Sequence, residues 1–125
     1  MHKILVIEDE PQMRRNILTV LDMEGFDALG AENGRLGLEM IHTHKPDLIL
    51  CDVMMPELDG YGVLRALRAD PATAETPFVF LTAKGERGDF RAGMNLGADD
   101  YLTKPVVLDD LLKTIRVRLK TSENG

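Results

Sequence analysis

Tryptophan is absent from this chain of 125 residues, and aromatic residues make up only 5% of it. The core is therefore expected to be mainly aliphatic. A single cysteine, Cys51, excludes an internal disulfide and a cysteine-based zinc site. No apolar run approaches the roughly 20 residues that span a bilayer. The opening stretch MHKILVIEDEPQ ends its apolar run in acids, which is not the pattern of a signal peptide. Basic residues are in deficit, 15 against 21 acidic ones, for a formal charge of −6. A nucleic-acid surface needs clustered Lys and Arg to neutralise phosphates, so direct nucleic-acid binding is not expected. Neither a G-x-G-x-x-G after the first apolar run nor a G-x-x-x-x-G-K-[ST] occurs, which removes the dinucleotide and P-loop readings. With 44% hydrophobic and 29% charged residues, the sequence reads as one small acidic domain, soluble and cytoplasmic.

What is present is alternation. Short apolar runs at Lys3–Ile7, Asp27–Ala31, Asp47–Cys51, Phe78–Leu81 and Asp100–Thr103 predict strands. The unbroken ILVI of the first suits a strand covered on both faces. Helical spacing fills the gaps: Pro11–Met23 with Pro11 in the first turn, a helix from an Asn33 cap to His44, and a helix from an Asp59 cap through Leu64, Leu67 and Arg68. A fourth is predicted over Glu86–Leu96, stopping at Gly97, and a fifth over Leu108–Lys120 with Asp109 and Asp110 in its first turn. Strict βα alternation implies a parallel sheet with helices on both faces. Residues 1–120 form the expected domain, and 121–125 read as a disordered tail or linker stub.

In an open α/β sheet, ligands bind at the carboxyl ends of the strands. Glu8, Asp9 and Glu10 follow the first strand, Asp52 the third, Thr82 the fourth, and Lys104-Pro105 the fifth. A 2-1-3-4-5 strand order makes these ends neighbours. Two or three carboxylates, a hydroxyl and an ammonium then share one rim. Crowded carboxylates raise one another's pKa unless a cation sits among them. Hard oxygen ligands without His or Cys suit Mg²⁺. A carboxylate can also serve as a phosphoryl-accepting nucleophile, with Lys and Thr stabilising the phosphoryl oxygens.

The stretches ILVIEDEP, PDLILCDVMMPELDGYGVL, VFLTA and GADDYLTKP, in that order, resemble the receiver domain of two-component response regulators from about Lys3 to Leu119. The resemblance implies a flavodoxin-like, doubly wound sandwich. It implies Asp52 as the phosphorylation site, with Thr82 and Lys104 contacting the phosphoryl group. It implies Mg²⁺ held by Glu8, Asp9, Asp52 and the backbone carbonyl of Met54, with Glu8 standing where many receivers have Asp. Thr82 and Tyr101 match the family's switch pair, the Lys104–Pro105 bond is expected to be cis, and Met54 and Lys84 fall where similar domains tune the phosphorylated lifetime.

The implied partners are a sensor histidine kinase or phosphotransfer protein and a downstream effector, with no membrane contact. A homodimer through the fourth helix, fifth strand and last helix is a further expectation, with Asp99, Asp100, Arg116 and Arg118 as candidate cross-subunit ion pairs. The resemblance implies a signalling phosphoacceptor in phosphorelay signal transduction rather than a turnover enzyme. One alternative is a pseudo-receiver, an interaction module that is never phosphorylated. Another is a phosphohydrolase with an aspartate nucleophile, but the position two after Asp52 is Met54, which offers no general acid. Cys51 reads as a small core hydrophobe, and Arg14-Arg15 as a solvated helix face.

Overall fold

The computed structural model describes residues 1–83 and 95–124, and of residues 121–124 the backbone only. The helix expected over Glu86–Leu96 lies almost wholly outside the described residues, as does Lys84. Five parallel strands form one sheet in the order β2-β1-β3-β4-β5: β1 Lys3–Ile7, β2 Asp27–Ala31, β3 Leu48–Asp52, β4 Phe78–Thr82 and β5 Asp100–Thr103. The described helices are α1 Pro11–Met23, α2 Gly34–His44, α3 Gly60–Ala69 and α4 Leu108–Asn124. None of these is long and apolar enough to cross a membrane.

Strand side chains alternate between two cores, because successive residues point to opposite faces. Leu5, Ile7, Ile49, Cys51, Phe78 and Phe80 pack beneath α2 and α3, against Ile41, Val63, Leu64 and Leu67. Ile4, Val6, Leu48, Leu50, Val79 and Leu81 pack on the other side with Ile17 and Leu21 of α1 and Leu111, Ile115 and Leu119 of α4. A sheet covered twice needs apolar residues at every position, which is why β1, β3 and β4 read as continuous hydrophobic runs. Each fully buried aliphatic side chain contributes about 1.5–3 kcal/mol.

The caps fall where the sequence places them for two helices. Asn33 Oδ1 accepts from the Leu36 N–H at 2.8 Å, and Asp59 Oδ1 accepts from the Gly62 N–H at 2.9 Å. Four element ends differ from expectation. β3 starts at Leu48 and not Asp47, and β4 ends at Thr82 and not Leu81. β3 runs one residue further, to Asp52, because Asp52 is in register with Leu81 of β4. The last helix continues to Asn124 instead of ending at Lys120, since Thr121, Ser122 and Glu123 include no breaker and the first glycine is Gly125.

Candidate functional site

Register decides which side chains meet. Ile7 is opposite Cys51, Asp52 opposite Leu81, and Thr82 opposite Thr103. Glu8, Asp52, Thr82 and Lys104 therefore emerge at one level along the carboxyl edge of the sheet. Glu8 is tied back to β2 by its N–H, which donates to the Ala31 carbonyl at 3.1 Å. Its side chain turns inward and is 1% exposed, while Asp9 stays exposed. The third acid of the run does something else. Glu10 caps α1, its carboxylate accepting from the N–H groups of Gln12 at 3.0 Å and Met13 at 2.6 Å. Those bonds, Met13's first, lower its pKa. The rim therefore carries three carboxylates, and Glu10 is not among them.

Asp52 is 5% exposed at the end of β3. The start of α3 is pressed against it. A Cβ on Gly60 would lie 2.4 Å from the Asp52 carbonyl oxygen and 2.9 Å from Phe80 Cε1, so only glycine lets the helix begin there. The Cys51 thiol is buried in the core, with Sγ donating to the Asp52 carbonyl at 3.3 Å. Lys104 follows β5, its N–H donating to the Thr82 carbonyl at 2.7 Å, and the Lys104–Pro105 peptide is cis, as expected.

The ammonium of Lys104 bridges two acids. Its Nζ lies 3.1 Å from Asp52 Oδ1 and donates to Glu8 Oε1 and Oε2 at 3.2 and 3.3 Å. Glu8, Asp9 and Asp52 each offer a carboxylate oxygen, and these atoms lie within 4.8 Å of one another. Burial, reinforced by the charge of Asp52 and opposed by Lys104, pushes Glu8 up to about 7. Burial also raises Asp52, against the pull of Lys104. For Lys104, burial works downward, but the two acids and their hydrogen bonds outweigh it and its pKa rises. Among the described residues one ammonium faces three carboxylates, which leaves that set with an excess of negative charge. A compact, all-oxygen, over-anionic pocket fits a hard divalent cation.

Thr82 is buried at the end of β4. Tyr101 is half-buried on β5, its ring 5.3 Å from that of Phe80, which also meets Tyr61 at 5.2 Å and Phe78 at 4.9 Å. Met54, in the loop after β3, is 61% exposed. The four residues expected to pair across a dimer all have partners within the chain. Arg118 pairs with Asp100 at 3.2 Å, Arg116 with Glu24 at 3.6 Å, and Arg68 with Asp99 at 3.2 Å.

One contact departs from the sequence reading. Arg14 is not part of a solvated face: it is half-buried, and its Nη1 donates to the Glu8 carbonyl at 2.7 Å. The bond targets a backbone atom, which leaves no residue-type signature to read.

Residues 4–116 match the family model described as the response regulator receiver domain. A probable transcriptional regulator, ycf27, from Cyanophora paradoxa is 42% identical over 122 residues, which is 98% of this chain and 50% of that protein. The chain spans about half the length of the curated relatives it matches. The crystal structure of a putative response regulator from Chloroflexus aurantiacus superimposes with a TM-score of 0.91 at 32% identity, covering 95% of this chain and 98% of that one. The receiver domain of a sensor histidine kinase from Pseudomonas aeruginosa, with a magnesium ion coordinated in its active site cleft, gives a TM-score of 0.87 at 28% identity over 95% of this chain and 98% of that one. This chain belongs to the response regulator receiver domain family and serves phosphorelay signalling in two-component systems.

Proposed function

We propose that Asp52 accepts a phosphoryl group from the phosphohistidine of a sensor histidine kinase or phosphotransfer protein in the cytoplasm. A carboxylate oxygen of Asp52 forms the new O–P bond, the P–N bond to the donor imidazole breaks, and its electron pair stays on nitrogen. The observation that carries this reading is the bridging of Asp52 and Glu8 by Lys104 at 3.1–3.3 Å beside exposed Asp9. It is a nucleophile with a fixed cation and a surplus of oxygen ligands. Glu8, Asp9, Asp52 and the Met54 carbonyl are the residues that would hold Mg²⁺. The ion would neutralise charge developing on the phosphoryl oxygens.

Lys104 is already oriented by the hydrogen bond that its N–H donates to the Thr82 carbonyl. Its ammonium exchanges the Asp52 carboxylate for phosphoryl oxygens without a large movement. Thr82 supplies the hydroxyl for another phosphoryl oxygen, and Tyr101 responds on the neighbouring strand. The remodelled face acts on an effector, either further along a longer polypeptide or separate. Transfer is stoichiometric, because the exposed thioether of Met54 provides no general acid for turnover.

Incubation with acetyl phosphate and Mg²⁺, followed by intact mass, tests the assignment. Wild type gains one phosphoryl group and Asp52→Asn gains none. An adduct that persists in Asp52→Asn removes Asp52 from this role. Absence of any adduct in wild type favours an interaction module.

A further inference from the structure

Glu8 reaches the pocket from a backbone that is held on both sides. Its N–H donates to the Ala31 carbonyl at 3.1 Å, and its own carbonyl accepts from Arg14 Nη1 at 2.7 Å. Arg14 belongs to α1, so this second bond ties the β1–α1 corner to the helix that follows it. The guanidinium arrives there because β2 leaves it room. A Cβ on Gly30 would lie 3.4 Å from Arg14 Cδ, 3.5 Å from Arg14 Cγ and 2.8 Å from Leu18 Cδ1. Gly30 is thus a slot across which the Arg14 stem lies on its way to the corner. The corner has little freedom left. Both neighbours of the Glu8 side chain in the backbone are fixed, and that side chain is the one whose two oxygens hold Lys104.

We propose that Arg14 is a positioning residue for the phosphoryl-accepting pocket: lying over Gly30, it fixes the Glu8 carbonyl and so aims the Glu8 carboxylate at Lys104 and the cation. This rests on reading the pocket as a Mg²⁺-dependent phosphoryl acceptor. Arg14 touches none of the reacting atoms, and its effect passes through the peptide of Glu8. A charged donor to a buried-side carbonyl is among the stronger hydrogen bonds. Partners of this outer kind typically change metal affinity by about 10–100-fold.

The test measures Mg²⁺ affinity by titration calorimetry and the rate of acyl phosphate formation from acetyl phosphate, in wild type, Arg14→Met, Arg14→Lys, Glu8→Gln and the Arg14→Met/Glu8→Gln double variant. Melts in EDTA report folding separately. Arg14→Met keeps the apolar stem over Gly30 and loses the donor. Its Mg²⁺ affinity is expected to fall by about tenfold, with slower acylation and a cooperative melt. Arg14→Lys, with one shorter donor, lies between it and wild type. In the Glu8→Gln background the same substitution changes Mg²⁺ affinity less than twofold, because two residues acting through one group are not additive. Arg14→Met with wild-type affinity and rate overturns the proposal, and so does an undiminished effect in the Glu8→Gln background. If Arg14→Met does not fold, Arg14→Lys carries the decision: wild-type affinity in it counts against the proposal, and a severalfold loss at an unchanged melt supports it. If wild type itself neither binds Mg²⁺ nor takes a phosphoryl group, the reading of the pocket fails instead.

Discussion

Two ionic clusters sit at opposite ends of the sheet, and they are built on different principles. At the carboxyl edge, one ammonium faces Glu8, Asp9 and Asp52. Near the amino ends of β4 and β5, Arg68 of α3 faces the single carboxylate of Asp99. There the guanidinium donates to the Thr76 carbonyl at 2.7 Å, to the Gly97 carbonyl at 2.8 and 3.2 Å, and to Asp99 Oδ2 at 3.2 Å. The same Asp99 oxygen accepts from the Phe78 N–H at 2.8 Å. Charges match one to one, and the donors of Arg68 find fixed acceptors. Burial lowers the pKa of Arg68 against the pull of Asp99, which at neutral pH leaves it charged. The carboxyl-edge cluster is the opposite: two of its acids are driven upward in pKa, and among the described residues no second cation answers them. A balanced cluster holds the fold together. An unbalanced one is a place for a ligand to supply what is missing.

Removing a member of each cluster separates these roles. Arg68→Ala is expected to destabilise the protein by about 1–3 kcal/mol, since it takes the charged partner from Asp99 and the donor from the Thr76 and Gly97 carbonyls. Acetyl phosphate labelling of the folded variant stays at the wild-type level. Denaturant melts with intact-mass labelling check both halves, and lost labelling in a folded Arg68→Ala would erase the distinction.

Cation addition should act on one cluster only. At roughly 100 times its dissociation constant, Mg²⁺ stabilises wild type by about 2.7 kcal/mol. Arg68→Ala gains a similar increment, because its carboxyl edge is intact. Glu8→Gln gains less. Equal increments in all three would mean that the ion binds elsewhere.

The same contrast has a signature in pH. Glu8 sits at about 7 in the folded chain against 4.5 as a free side chain. An acid with a raised folded pKa favours folding most below its unfolded value, and that advantage disappears as pH rises through the folded value. In EDTA, wild type should therefore lose stability relative to Glu8→Gln between about pH 4.5 and 7. A difference that is flat across this window would place Glu8 outside the crowded pocket.

The strand order and the meeting of Glu8, Asp52, Thr82 and Lys104 are legible in the sequence for a physical reason. Buried parallel strands write themselves as apolar runs, and the residues just after them must lie on one edge. Element ends are less legible. Whether β3 stops at Cys51 or Asp52 depends on pairing with Leu81, which is tertiary information. Glu10 counts as a rim acid by position, yet the first turn of α1 claims it, because two free N–H groups lie within reach. Arg14 resembles any surface arginine until the fold brings the Glu8 carbonyl beneath it. The Arg68 cluster is illegible for the same cause, since most of its acceptors are backbone oxygens.

The central claim is that the carboxyl edge is over-charged without a cation, and Asp52→Asn tests it most directly. Denaturant melts of wild type and Asp52→Asn in EDTA compare the pocket with and without its third acid. The account predicts that the Asn variant is the more stable by about 1–2 kcal/mol, and that Mg²⁺ narrows or reverses the gap by stabilising wild type more. If Asp52→Asn is less stable than wild type in EDTA, the Lys104 bridge already satisfies the pocket, and the carboxylates do not form a shared cation site.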